Sequence, residues 1–167
     1  RYWKKEYDKH QTYFEKYPAD PEDSLSWKIT KPLRASTRIL KRVKEKIYKL
    51  AVIAISSVLK LFYFGKPVWL VAERKDQAED NGYFFFKYCR EVHPNEKVYY
   101  IIDKKSPHLD KVEGLGNVII HSSFKHLLFM LIADKYISAW TFQEVAYPEP
   151  VKRFNRLFRN QIKNKKN

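Results

Sequence analysis

A polar loop from Glu73 to Gly82 holds the side chains best suited to chemistry, and it directly follows an apolar segment. In open α/β sheets, ligands bind beyond the carboxyl ends of strands, beside the N-terminus of the next helix. The side chains here suit hydrogen bonding to a polar, hydroxyl-rich substrate, and the candidates are Glu73, Arg74, Asp80, Asn81 and Gly82. The loop has no GxGxxG pattern, so it does not predict a dinucleotide cradle.

The same loop also has a structural interpretation. Asp80 or Asn81 would cap the helix that follows, and Gly82 would permit the turn. Asp103 ends a later apolar segment, where Rossmann folds often carry a ribose-binding acid. Because the first turn is not glycine-rich, a turn-forming role is the favoured interpretation of Asp103.

Histidine supplies one further candidate. His121 follows a predicted strand and is expected at the ligand edge of the sheet. His126 comes five residues later, a spacing that places the two on different faces if both are helical. The five histidines lack metal-site spacing, so no metal or cofactor is predicted. Spacing likewise supports no Ser/His/Asp or Cys/His catalytic arrangement.

Apolar and amphipathic segments alternate along the second part of the chain and must position these residues. Strands are predicted at 66–73, 97–103, 117–120 and 134–139, and helices at 83–92, 106–112, 122–132 and 151–161. Strands separated by helices of about ten residues imply a parallel sheet with crossover helices. The predicted fold class is α/β: an incomplete Rossmann-like parallel sheet preceded by a long basic amphipathic helix.

Two helices carry more detailed predictions. In the first, the inward side chains are expected to be Phe84, Phe85, Tyr88 and Cys89. The single cysteine is interpreted as a packed thiol in a reducing compartment. In the second helix, Ser106 is expected to be the cap, with Pro107 in the first turn.

Composition divides the chain into four regions. They are a connector with a short helix (1–30), a basic amphipathic helix (31–65), a Rossmann-like domain (66–150) and a basic helix or tail in which the domain is truncated (151–167). Both ends suggest cuts from a longer polypeptide. The net charge is +14, of which residues 31–66 contribute +9 and residues 151–167 contribute +7. The remainder carries −2, so a polyanionic surface is the expected partner of the basic regions.

The basic helix has an apolar arc that includes Leu33, Leu40 and Ile47. Thr30 is a possible cap, and Pro32 suits the first turn. The opposite, basic arc predicts an interfacial helix on anionic lipid, and its membrane-facing residues would be Arg34, Arg38, Lys41, Arg42 and Lys49. The alternative is an ordinary helix packed on its own domain. No nucleic-acid-binding motif is present, so nucleic acid is not the expected partner.

Two consecutive segments carry a family resemblance. Val68-Trp-Leu-Val-Ala-Glu-Arg74 and Ala78-Glu-Asp-Asn-Gly-Tyr-Phe84 resemble the opening of the CDP-glycerol glycerophosphotransferase family, which includes wall teichoic acid and capsule polymerases. The similarity continues through His93-Pro-Asn-Glu-Lys-Val-Tyr-Tyr-Ile-Ile-Asp103 and Ala133-Asp-Lys-Tyr-Ile-Ser138, and it covers about residues 66–150. Separately, Ser26-Trp-Lys-Ile-Thr-Lys-Pro-Leu-Arg34 looks like a linker of multi-domain bacterial glycosyltransferases.

The resemblance implies the first half of the N-terminal domain of a GT-B transferase, peripheral on the cytoplasmic face of the cell membrane. Such enzymes move glycerol phosphate from CDP-glycerol, or a similar CDP-polyol, to a lipid-linked polymer. The family's catalytic histidine and most of its donor site would lie beyond Asn167. No catalytic residue is therefore carried over to this chain, and the fragment alone is expected to be inactive.

Two other functions fit the same elements. One is a sugar-nucleotide-dependent GT-B glycosyltransferase, and the other is a non-catalytic membrane-docking module. Fold class alone does not choose between them, because one fold hosts many activities.

Overall fold

A computed structural model of the chain describes residues 4–7, 25–138, 140, 141 and 146–163. Contacts divide the chain into two units, residues 1–48 and 49–167. Residues 4–7 are helical, and most of the short helix predicted within the connector lies outside the described residues. Helix α1 (Leu25–Phe62) begins in the first unit and ends in the second.

The second unit is an α/β domain. Its strands are β1 (Val68–Ala72), β2 (Lys97–Ile102), β3 (Val118–Ile120) and β4 (Lys135–Ser138), and its further helices are α2 (Asn81–Val92), α3 (Leu109–Glu113), α4 (Phe124–Ile132) and α5 (Val151–Lys163). All strand pairs are parallel, in the order β3-β2-β1-β4. The predicted parallel sheet is confirmed, and this order is that of the first four strands of a Rossmann-like fold.

The sheet buries both of its faces. Because successive strand residues point to opposite faces, Leu70 and Ile101 join one apolar cluster while Val71 and Tyr100 join another. The first cluster also takes side chains from α1, α4 and α5, and the second takes them from α2 and α3. Helices on both faces explain why the strands are apolar along nearly their whole length.

Helix α1 starts earlier than the sequence pattern predicted. Pro32 lies inside the helix, and Thr30 is no cap, since its hydroxyl donates to the Ser26 carbonyl at 2.8 Å. Proline leaves the carbonyl of Lys28 without its helical donor. This stretch is exposed, so water can hydrate that carbonyl and the helix continues through the proline.

The predicted inward face of α2 is partly wrong. Phe84 and Tyr88 are 59% and 53% exposed, whereas Tyr83 and Phe86 are buried. The helix begins at Asn81, and residues three and four apart share its buried face, which includes Cys89 as predicted. Burial raises the pKa of the Cys89 thiol.

Helix α3 also begins later than predicted, at Leu109. Ser106 lies in the preceding turn, where its hydroxyl donates to the Asp76 carbonyl at 2.7 Å and accepts the His108 N–H at 3.1 Å. Ser106 therefore joins this turn to the loop after β1 instead of capping the helix.

Candidate functional site

The carboxyl ends of the four parallel strands form one edge of the sheet, and the chain leaves β1 and β4 there side by side. The strand order reverses between these two strands, and such a switch point is the usual ligand position in open α/β sheets. Arg74 follows β1, and its guanidinium lies 4.3 Å from the ring centroid of Trp140, which follows β4. Both side chains are exposed, so the crevice presents a cation stacked on an aromatic face.

Glu73 lies at the end of β1 and is 2% exposed. Its carboxylate accepts backbone N–H groups from Tyr83 at 2.7 Å, Glu79 at 3.2 Å and Asp80 at 3.3 Å. Unpaired N–H groups at a helix N-terminus normally make it an anion-binding position. At the N-terminus of α2, the Glu73 carboxylate itself occupies this anion-binding position.

Gly82 makes this arrangement possible. A Cβ placed at Gly82 would lie 3.0 Å from both Cγ and Oε1 of Glu73. Any larger residue would push the carboxylate away from the helix end. The predicted substrate-binding glycine therefore lies against a buried acid, inside the protein.

Asp80 and Asn81 remain at the surface. The Asp80 side chain accepts the Asn81 N–H at 2.8 Å, which confirms the capping interpretation of Asp80. The structure thus separates the loop candidates into exposed groups, namely Arg74, Asp80 and Asn81, and the buried Glu73 and Gly82.

The loop after β1 makes two contacts at the same edge, one with Glu149 and one with the loop after β2. Lys75 forms an ion pair with Glu149, and the hydrogen bond from Lys75 lowers the pKa of the Glu149 carboxyl. The Lys75 carbonyl accepts the Asp103 N–H at 2.6 Å. Asp103 in turn accepts the Lys105 N–H at 2.8 Å, which confirms its turn-forming role.

His121 lies directly after β3, as predicted, but it is only 8% exposed and both ring nitrogens have partners. Nε2 lies 3.2 Å from the Tyr147 carbonyl, which can only accept, so Nε2 carries the proton. Nδ1 then accepts the Ser122 hydroxyl at 3.1 Å, and that hydroxyl accepts the Glu149 N–H at 2.8 Å. Burial, followed by the charge of Lys75, lowers the pKa of His121.

His126 is fully buried, and its ring lies 5.1 Å from that of His121. The two histidines are therefore neighbours. The expectation of different helix faces applied only if both were helical, and His121 precedes α4. Ser122, at φ 58°, turns its N–H toward Nδ1 of His126 at 2.9 Å. Burial lowers the pKa of His126 to about 3, and His121 contributes in the same direction.

The two histidines and Ser122 hold residues 147–149 against the end of β3. Since their hydrogen bonds serve the protein itself, this cluster fixes the edge of the sheet. Within the described ranges, no group of three or more His, Cys, Asp and Glu residues could hold a metal ion.

Helix α1 presents a different kind of surface. Val52 is fully buried and Ser56 is 5% exposed on the side that packs in the second unit. The other side of this segment is apolar and open to solvent, with Leu50 at 67%, Val58 at 56% and Leu61 at 69% exposed. We call this side, together with the exposed Ile55, Phe62 and Phe64 that adjoin it, the apolar stripe.

The basic residues predicted to face a membrane divide into two groups. Arg34, Arg38, Lys41 and Arg42 are exposed, whereas Lys49 is partly buried. None of the helices that the structure describes is long and apolar enough to cross a bilayer.

Sequence reasoning missed several residues at the sheet edge. Trp140, Lys75 and Ser122 acquire their positions only because β4 lies beside β1 and because residues 147–149 return to the end of β3. The only sequence signal available for them was their position directly after a predicted strand or a candidate residue.

Comparison with known proteins finds a similarity to a bacterial biosynthesis protein. The chain is 33% identical over 112 residues to the "Minor teichoic acid biosynthesis protein GgaB" of Bacillus subtilis (strain 168). The chain is related to a teichoic acid biosynthesis protein. The match includes 67% of the chain but 12% of GgaB, so the chain spans a small part of that relative. No family model and no solved structure matches the chain.

Proposed function

We propose that this chain is part of a membrane-associated glycerophosphotransferase. The enzyme would move a polyol phosphate from a CDP-activated donor, such as CDP-glycerol, to a lipid-linked teichoic-acid-like or capsular polymer. The observation that carries this proposal is the 33% identity over 112 residues to a teichoic acid biosynthesis protein. That alignment supports a role in teichoic acid biosynthesis. The reaction and its substrates are what we propose in addition.

The geometry of the sheet edge supports an acceptor-side role for this domain. A nucleotide diphosphate would normally use the helix N-terminus after β1, but Glu73 fills that position at α2. A second anion there would be repelled by the buried carboxylate. The donor would therefore bind in another domain, and this one would present the stacked Arg74 and Trp140 to the acceptor.

The proposed reaction is a direct in-line displacement. An acceptor hydroxyl attacks the β-phosphorus of the donor, the new P–O bond forms, and CMP leaves with the electrons of the broken bond. The hydroxyl proton passes to a general base in another part of the enzyme. Arg74 would position an acceptor phosphate by charge-assisted hydrogen bonds.

The apolar stripe supports attachment of the enzyme to the cytoplasmic face of the membrane. Its exposed leucine, valine and phenylalanine side chains would enter the boundary between headgroups and acyl chains, while the basic residues of α1 attract anionic lipid. A lipid-linked acceptor lies at the same surface.

The test uses the longer protein with labelled CDP-glycerol and a lipid-linked acceptor. We expect CMP release and labelled polymer, and Arg74→Ala is expected to lower kcat/KM by about tenfold because a phosphate contact is lost. Lys87→Ala on α2, which removes a partly exposed cation that is not part of the stacked pair, is the matched control. Turnover of a UDP-sugar without CMP release from CDP-glycerol would instead identify a glycosyltransferase.

A non-catalytic membrane-docking module is the second candidate, and the exposed apolar stripe favours it. The two candidate functions are distinguished by measuring membrane binding and polymer synthesis for an Arg74→Ala variant in which α1 is unchanged. If membrane binding and synthesis both persist at the unmodified level, this domain docks the enzyme and takes no part in receiving the acceptor.

A further inference from the structure

Basic side chains from both strongly basic regions of the chain line one cleft within the second unit. Lys49 of α1 lines it from one side, and Arg156 and Arg159 of α5 line it from the other. The cleft has a volume of about 300 Å³, and Asn155, Leu157 and Asn160 complete its lining. Lys49 is more than one hundred positions from Arg156 and Arg159 in the sequence, so only the fold brings it to them.

Apolar packing explains why the charges converge. Leu157 and Phe158 of α5 are buried in the same cluster as Val52 of α1. Lys49 lies one turn before Val52, while Arg156 and Arg159 flank the two buried residues of α5. Burial of the apolar faces therefore holds three cations around one space, although like charges repel.

The lining is suited to an anion. No acid is among the described residues that line the cleft. The Arg159 guanidinium and the Lys49 ammonium give charge-assisted hydrogen bonds, and arginine matches the geometry of phosphate oxygens. The two asparagine amides add neutral donors.

The volume limits the size of the ligand. Pockets for small molecules begin at about 300 Å³, so this cleft accommodates a phosphate on a small headgroup and is too small for a whole nucleotide. We propose that the cleft between α1 and α5 is a binding site for a phosphate group carried on a small polar headgroup. The proposal does not rest on the transferase activity and concerns a different part of the domain from the sheet edge.

Binding to inorganic phosphate and to glycerol 3-phosphate tests the chemistry, with chloride at matched ionic strength as the reference. Lys49→Gln/Arg159→Gln removes two cleft charges, and Lys44→Gln/Lys152→Gln removes two exposed charges from the same two helices. We expect the cleft variant to bind at least about tenfold more weakly, because hydrogen bonds to charged groups are lost. The control variant should stay within about twofold of the unmodified protein, since screened surface charges contribute little.

Vesicles separate the two sources of the phosphate group. If a lipid headgroup is the ligand, the cleft and control variants will differ more in their binding to phosphatidylglycerol vesicles than in their binding to the soluble phosphates. If a soluble phosphate is the ligand, the discrimination appears with glycerol 3-phosphate and not with vesicles. Equal binding by the cleft and control variants in every arm, with both still folded by circular dichroism, would overturn the proposal.

Discussion

The buried carboxylate of Glu73 joins the end of β1 to the start of α2 by accepting three backbone N–H groups. Such groups are costly to leave unpaired, so the acid stabilises the loop that carries Arg74. At the same edge of the sheet, after β3, Nδ1 of His121 accepts the Ser122 hydroxyl and Nδ1 of His126 accepts the Ser122 N–H. Neutral histidines buried in this way make stability depend on pH.

Gly82→Ala is expected to destabilise the domain by about 1–3 kcal/mol, because the new Cβ would press on the Glu73 carboxylate. Gly114→Ala is the matched control, since its Cβ would meet its nearest neighbour at an ordinary 3.6 Å and its φ of −58° suits alanine. Urea unfolding measures both. Equal free energies of unfolding for the two variants would show that Gly82 is not held against Glu73.

The free energy of unfolding is expected to fall as the pH is lowered from about 6.5 toward 3. His126 has its pKa lowered to about 3 in the folded protein, whereas an unfolded histidine titrates near 6.5, so the unfolded state binds the proton first. The stabilisation is complete above the unfolded pKa and is lost at up to about 1.4 kcal/mol per pH unit below it.

His126→Asn tests the origin of this slope. Asparagine keeps an acceptor for the Ser122 N–H but does not titrate, so urea unfolding between about pH 5 and 6.5 should show a shallower slope. This range avoids most carboxylate titration. An unchanged slope in the variant would assign the pH dependence to other groups.

Helix α1 has different neighbours on its two sides. One side of its last turns contributes Val52 to the core, and the other exposes the apolar stripe. An ordinary surface helix of a soluble domain turns its apolar side inward. The exposed stripe, beside the basic residues of the same helix, supports the proposal that this element contacts the boundary of a lipid bilayer.

Leu50→Asp/Leu61→Asp is expected to lower binding to phosphatidylglycerol vesicles by at least about tenfold, because two apolar side chains no longer enter the lipid. Phe84→Asp on α2, where the side chain is 59% exposed, is the matched control. Vesicle co-sedimentation gives the bound fraction. Retained binding by the double variant would rule out the apolar stripe as the membrane contact.

At the scale of the whole molecule, both apolar clusters lie in the second unit. Its stability should therefore come from residues 49–167. The last turns of α1 belong to that unit, since Val52 is buried there and Tyr63, directly after the helix, has its hydroxyl 2.9 Å from that of Tyr99.

Two truncations test this division. Removing residues 1–48 is expected to leave the urea midpoint of the domain unchanged, because no residue of the apolar clusters is lost. Removing residues 1–65 also deletes Val52 and the Lys60–Asp134 ion pair, and is expected to cost at least about 2 kcal/mol. Equal midpoints for both truncations would contradict the assignment of α1's last turns to the core.

The sequence by itself determined the strands, the parallel sheet and the amphipathic character of α1, because these depend on local periodicity. The Asp80 cap and the Asp103 turn were predictable for the same reason. Tertiary structure decided that β4 lies beside β1, which stacks Arg74 on Trp140, and that Glu73 is buried at the end of α2. It also brought Lys49 to Arg159 and exposed the apolar stripe. Those outcomes depend on which faces of distant elements pack together, and packing partners are not encoded in the periodicity of any one segment.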